Sequence, residues 1–205
     1  MDTPKSGEPF VEELPSRHSV LTILDRVDPF AAPADEPPFG ERDLRELVEL
    51  QGAEDVLVNV ASAKDEPERR RFAAAEALLA GPFESWRSSP PAHRAVADAL
   101  AAALVDDSSH NRWGLPGHFV GRLGRALLSL SGGVVDALLP LLDCPEELIV
   151  EGSEASTLHS TSRYRVADLA AYLLSLQLEA PWEDHETAEK RDRVIDSLRK
   201  RATRG

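Results

Sequence analysis

From residue 41 onward, apolar positions recur with the spacing that lines helix faces. The stretch "FAAAEALLA" begins at 72, "VADALAAAL" at 96, "VGRLGRALL" at 120 and "VADLAAYLL" at 166, offsets of 24, 24 and 46 residues. Similar helices returning at such offsets predict stacked helical hairpins, because a single hairpin leaves apolar surface that only a neighbour can cover. The other helix of each pair is read from "LRELVELQGAEDVLVNVA", "PAHRAVADALAAALV" and "GVVDALLPLLD", and a last helix from "DHETAEKRDRVIDSLRK". The chain therefore reads as all-α, with about three pairs plus a C-terminal helix.

Punctuation supports these divisions. Asp65 and Glu68 have capping-box spacing with Pro67 in the first turn, Gly81 and Pro82 close that helix, Ser89 before Pro90 opens the next, and Gly132 with Gly133 interrupts a later one. In the last helix, Asp184 and Glu186 at the start and Arg199 to Arg201 at the end complement the helix dipole. The first 40 residues are acidic and hold seven of the 15 prolines, which predicts a largely irregular segment. Within it Val20, Ile23, Leu24 and Val27 share one face of a short docking helix near 19–27. Such a helix is too short to stand alone in water and is expected either to cap the end of the 41–205 helical domain or to dock on a partner.

Composition narrows the picture. With 42% hydrophobic residues and only 5% aromatic, the chain suits an Ala- and Leu-rich helical core. Its formal net charge of -13 repels phosphate backbones, so nucleic-acid binding is disfavoured. The charge is uneven: residues 1–65 carry 15 acidic and 6 basic side chains, while residues 190–205 carry 2 acidic and 7 basic. Opposed ends of this kind also allow self-association. The single cysteine, Cys144, excludes an internal disulfide framework, the first residues lack a signal-peptide pattern, and Asp98, Asp136 and Asp168 interrupt the apolar runs. A cytoplasmic protein without a membrane span is expected, and the preference for Arg over Lys fits a bacterial source.

The segments "DALLPLLD", "RRRFAAAEALLAG" and "RYRVADLAAYLLSL" resemble HEAT-like repeats, the two-helix units of armadillo-type α-solenoids, over roughly residues 43–177. The resemblance implies a compact right-handed stack and a protein that binds other proteins. Its loops are unequal and its units few, so a short, irregular stack is expected.

Aligning the second helices of the pairs places Arg122 and Asp168 at equivalent positions, which predicts a charge row across the seam made of Glu76, Arg122, Arg125, Arg165 and Asp168. A row of this kind sets helix register. The loops inside the pairs grow along the chain, from "SAKDEP" to "DDSSHNRWGLPG" to "CPEELIVEGSEASTLHSTS", and in stacked hairpins all such loops emerge on one edge. That edge is the predicted partner-binding surface, with Trp113 as anchor and Arg112, His110, His118, His159 and, on the adjoining groove, Tyr172 around it. A metal held by Asp106, Asp107, His110, His118 or His159 matches no recognised ligand spacing. The sequence also lacks an HExxH helix, a phosphate-cradling glycine loop, a GxSxG elbow and a CxxC pair. No cofactor and no catalytic residue is assigned. The reading is an adaptor or inhibitor, of which a toxin-neutralising immunity protein is one specific version, steered by its acidic surface to a basic protein partner. The rival is an enzyme on a HEAT-like fold, metal-dependent or acting on nucleic acid through Arg193, Arg199, Lys200 and Arg201.

Overall fold

The structure, a computed structural model, describes residues 15–107, 109–183 and 187–204. The described residues form ten α-helices and one two-stranded ribbon. Helices α1 (Pro15–Arg26), α2 (Glu41–Glu49), α3 (Ala53–Ser62), α4 (Glu68–Ala80) and α5 (Pro90–Asp106) make the first half. A short antiparallel ribbon of β1 (Gly114–Leu115) and β2 (Phe119–Val120) follows, pairing Gly114 with Val120 and Leu115 with Phe119. Then come α6 (Arg122–Leu128), α7 (Val134–Leu138), α8 (Ser153–Ser162), α9 (Val166–Gln177) and α10 (Ala188–Ala202). No described helix is long and apolar enough to cross a membrane.

Packing runs in chain order. Helix α1 lies on α3 and α4, these two on α5, α5 on α6 and α7, these on α9, and α9 on α10. Helix α5 buries Ala95, Val96, Ala97, Ala99, Leu100, Ala101, Ala103 and Leu104, so it is apolar almost all round and sits between neighbours. In α4, Ala73, Ala74, Ala75 and Ala77 are fully buried. Methyl side chains let these helices approach closely and cost no rotamer entropy on burial.

The N-terminal helix covers α3 and α4. Val20, Ile23, Leu24 and Val27 are buried, and Arg70 holds Asp25 through two bonds of 3.0 and 2.9 Å. Ser89 caps α5, its hydroxyl accepting from the Ala92 N–H at 3.4 Å with Pro90 in the first turn. Gly133 opens α7 at φ 81, where a Cβ would stand 2.7 Å from the Arg94 Cα.

Several boundaries differ from the sequence reading. The first predicted helix is two, α2 and α3, broken where Gly52 takes φ 75. Helix α4 begins after Pro67 with no side-chain cap, so the Asp65–Glu68 box does not form. Gly81 does end α4, as expected, and does so in an extended conformation. Helix α7 gives way at Leu139 to a 3-10 segment, Leu139–Asp143, because Pro140 lacks the N–H that an α-helix needs. The stretch 162–177 is not one helix: α8 stops at Ser162, Arg163 adopts φ 48, and Arg165 is the residue before α9. Helix α8 itself lies where a loop was expected; none of its residues is buried, so no apolar periodicity announced it. Asp184 and Glu186, read as dipole-complementing acids, lie outside the described residues.

Candidate functional site

The loop between α5 and the ribbon folds inward. Asp107, Arg112 and Trp113 are 2%, 1% and 0% exposed. The indole N–H of Trp113 donates to Asp107 Oδ2 at 2.8 Å, the Ser109 N–H donates to Oδ1 at 3.1 Å, and the Arg112 Nε lies 3.2 Å from Oδ2. The remaining guanidinium nitrogens of Arg112 donate to the carbonyls of Pro29 (2.6 Å), Phe30 (3.0 Å) and Ala32 (2.8 Å). A buried cation is tolerated here because a carboxylate faces it at ion-pair distance and both terminal nitrogens donate to carbonyls. The segment after α1 is thereby strapped over the loop, and the Trp113 ring stacks at 6.4 Å on Phe72 of α4. Burial pushes the Asp107 carboxyl above the usual carboxylate range, against the Ser109 N–H, Arg112 and Trp113, which pull it down.

His110, 2% exposed, ties this loop to the connector before α8. Its Nε2 lies 3.0 Å from the Leu104 carbonyl, its Nδ1 accepts from the Ile149 N–H at 2.9 Å, and its own N–H donates to the Ile149 carbonyl at 2.7 Å. The Asn111 amide repeats the bond pattern with Glu151, donating at 2.9 Å and accepting at 2.7 Å. The connectors of the second and third pairs thus share an edge. His118 of the ribbon and His159 of α8 flank the buried Tyr164, each ring 6.4 Å from it, and His159 Nε2 stands 3.2 Å from Glu147.

Between the ribbon and α8 lies a cleft of about 560 Å³, walled by Asn111, His118, Phe119, Glu151, Glu154 and Leu158. Phe119 is 38% and Ile149 53% exposed; together they are two of the four exposed large hydrophobics among the described residues. Glu151 and Glu154 in the cleft wall are exposed, as are Glu146 and Glu147 earlier in the connector before α8.

Of the residues expected to bind a partner, His118 and His159 lie at this cleft or beside it. Trp113, Arg112 and His110 do not: they are interior, Arg112 under the carbonyls of segment 29–32, Trp113 on Asp107 and His110 on the Leu104 and Ile149 carbonyls. Tyr172, in the middle of α9, stands edge-on to Trp182 at 5.7 Å. Phe119 and Ile149 escaped the sequence reading, because each adjoins apolar neighbours, Val120 for one and Leu148 and Val150 for the other, and nothing in the letters tells which of them stays exposed.

The predicted charge row is two separate clusters. Arg122 grips the buried Glu76 through bonds of 2.8 and 2.6 Å and does not pair with Asp168. Asp168 instead caps α9, accepting from the Arg165 N–H at 2.8 Å, and pairs with Arg165 (2.9 Å) and with Arg191 of α10 (3.1 Å). Arg125 donates to the Val120 carbonyl at 2.5 Å. The row breaks because docking of α10 supplies Asp168 with its own buried partner, Arg191, which also lies 5.1 Å over the Tyr164 ring.

Among the described residues, no three His, Cys, Asp or Glu side chains gather where a metal ion would be held. Burial, then Glu146, pushes the Cys144 thiol up to about 11, so it is a protonated thiol at neutral pH. Compared with family models, curated proteins and solved structures, the chain matches none.

Proposed function

We propose that this chain is a non-enzymatic adaptor or inhibitor on a HEAT-like stack, gripping a basic protein with the edge where its two longer connectors meet. The observation that carries the reading is a cleft walled by exposed Phe119, Glu151 and Glu154, with exposed Ile149 on the connector that enters it. Apolar anchors of this kind supply affinity, and the surrounding acids steer a cationic partner. The buried knot of Asp107, Arg112 and Trp113 supports the reading, because an edge braced from beneath loses little freedom on binding. Packing in chain order, with short helices paired across turns, is in keeping with the HEAT-like resemblance.

The test begins by isolating the partner by affinity capture and measuring its Kd with purified proteins. Phe119→Asp and Ile149→Asp are expected to weaken binding by roughly thirtyfold or more each, the scale of a hot-spot loss. Glu151→Lys with Glu154→Lys is expected to slow association and flatten its salt dependence. Unchanged Kd in folded Phe119→Asp and Ile149→Asp variants overturns the proposal.

A further inference from the structure

The partners of His110 dictate its protonation state. The Leu104 carbonyl can only accept, so Nε2 carries the hydrogen; the Ile149 N–H can only donate, so Nδ1 is bare. The ring is a neutral imidazole in one tautomer. Adding a proton to Nδ1 sets one N–H against another. The Ile149 carbonyl, 3.3 Å from Nδ1, is the acceptor within reach and also takes the His110 main-chain N–H, so a charged Nδ1–H gains one long bond there while the Ile149 N–H loses its acceptor.

We propose that His110 is a proton-operated latch: its protonation unfastens the 147–151 connector from the 109–113 segment and opens the cleft between the ribbon and α8 that Asn111 and Glu151 help to wall. The charged groups facing it are few. Asp107 of its own loop favours the cation, and His159 of α8 opposes it. Arg112 is balanced by Asp107. On the connector, Glu147 is held by Arg163 and His159, while Glu151 is tied through its backbone to Asn111. At the end of α5 the Asp106 carboxylate faces Glu68, whose carboxyl is raised by burial and then by Asp106. None of these supplies an acceptor to Nδ1.

The sign follows from burial, which lowers the His110 pKa from 6.5, against the Leu104 carbonyl and Asp107, which raise it. An opened loop, with an ordinary histidine, takes a proton first. The latch therefore holds fully above about pH 6.5 and weakens as pH falls below it, the opening equilibrium growing by up to about tenfold per pH unit until the closed form also protonates. For its consequence, acid release of the partner, the latch rests on the loop-edge reading above; its physics does not.

Hydrogen exchange on the free, full chain tests it. Between pH 7.5 and 5.5, after correction for intrinsic chemistry, the amides of His110, Trp113, Ile149 and Glu151 are expected to open roughly five- to tenfold more often, with those of Leu100 and Leu173 unchanged. His110→Gln is expected to erase the pH response, and His118→Gln and His159→Gln to keep it. A pH-independent pattern, a chain-wide rise, or loss of the response in either control variant overturns the latch. Should His110→Gln fail to fold, ring nitrogen shifts of the unaltered chain decide: a neutral Nε2–H ring at pH 7.5 is expected, and an Nδ1–H or charged ring overturns it. Partner affinity that holds at pH 5.5 while exchange rises leaves the latch standing and removes the loop-edge function.

Discussion

At the scale of single residues, the buried polar groups are held by partners far away along the chain. Arg112 reaches carbonyls 80 to 83 positions earlier, and Trp113 finds its acceptor six positions back in Asp107. Trp113→Ala removes a fully buried ring stacked on Phe72 and leaves the Asp107 carboxylate one donor short. A loss of about 3–5 kcal/mol in urea unfolding is expected, the usual cost of a large core aromatic. Glu76→Gln leaves the Arg122 guanidinium facing a neutral amide where a two-pronged carboxylate stood. Breaking one side of such a pair is expected to cost about 3 kcal/mol, and replacing both residues by Met to recover much of it, as a double-mutant cycle would read. The sequence put Glu76 and Arg122 in one charge row but gave Arg122 the wrong partner, Asp168, and it did not decide between a buried and an exposed Trp113. A connector rich in Asp, Ser, Gly and Pro reads as solvated, and nothing in its letters records the segment that crosses over it.

At the scale of elements, the long apolar helices were legible and the short or polar ones were not. Helices α4, α5 and α9 announce themselves because several faces are apolar, and α1 because its four buried side chains keep one face. Helix α8, "SEASTLHSTS", buries nothing and carries no such pattern. Helix α6 shows how packing overrules propensity. A Cβ on Gly124 would stand 2.2 Å from the Trp113 carbonyl oxygen, a backbone atom that cannot swing aside. Intrinsic preference favours Gly124→Ala by roughly 1 kcal/mol. Overpacking against main chain costs roughly 1–3 kcal/mol, so net destabilisation is expected in urea unfolding. A more stable variant would mean that α6 shifts freely.

At the scale of the whole molecule, packing in chain order makes the middle indispensable and the ends additive. Helix α10 touches the rest chiefly through α9 and the Leu139–Asp143 segment. Deleting residues 188–205 is expected to lower the melting temperature while the remaining helices keep their circular dichroism. Leu100, fully buried in α5 between the two halves, behaves otherwise. Leu100→Asp places an unpaired carboxylate in the core and is expected to cost more than about 4 kcal/mol, abolishing the cooperative transition. Equal sensitivity to both changes would show that the chain does not fold as neighbour on neighbour. The loop edge belongs to this scale too: sequence offsets placed the two longer connectors together, and the His110–Ile149 and Asn111–Glu151 bonds join them.

The order of letters alone determined the helical class, the alanine-rich interior, the Ser89 cap and the docking face of α1. Each depends on spacing within one element, and helix periodicity is a local property. Tertiary structure decided which charges pair, that Arg112, Trp113 and His110 lie inside, and that Phe119 and Ile149 remain outside. Desolvation and pairing depend on atoms brought together from distant positions, and those distances exist only once the chain has folded.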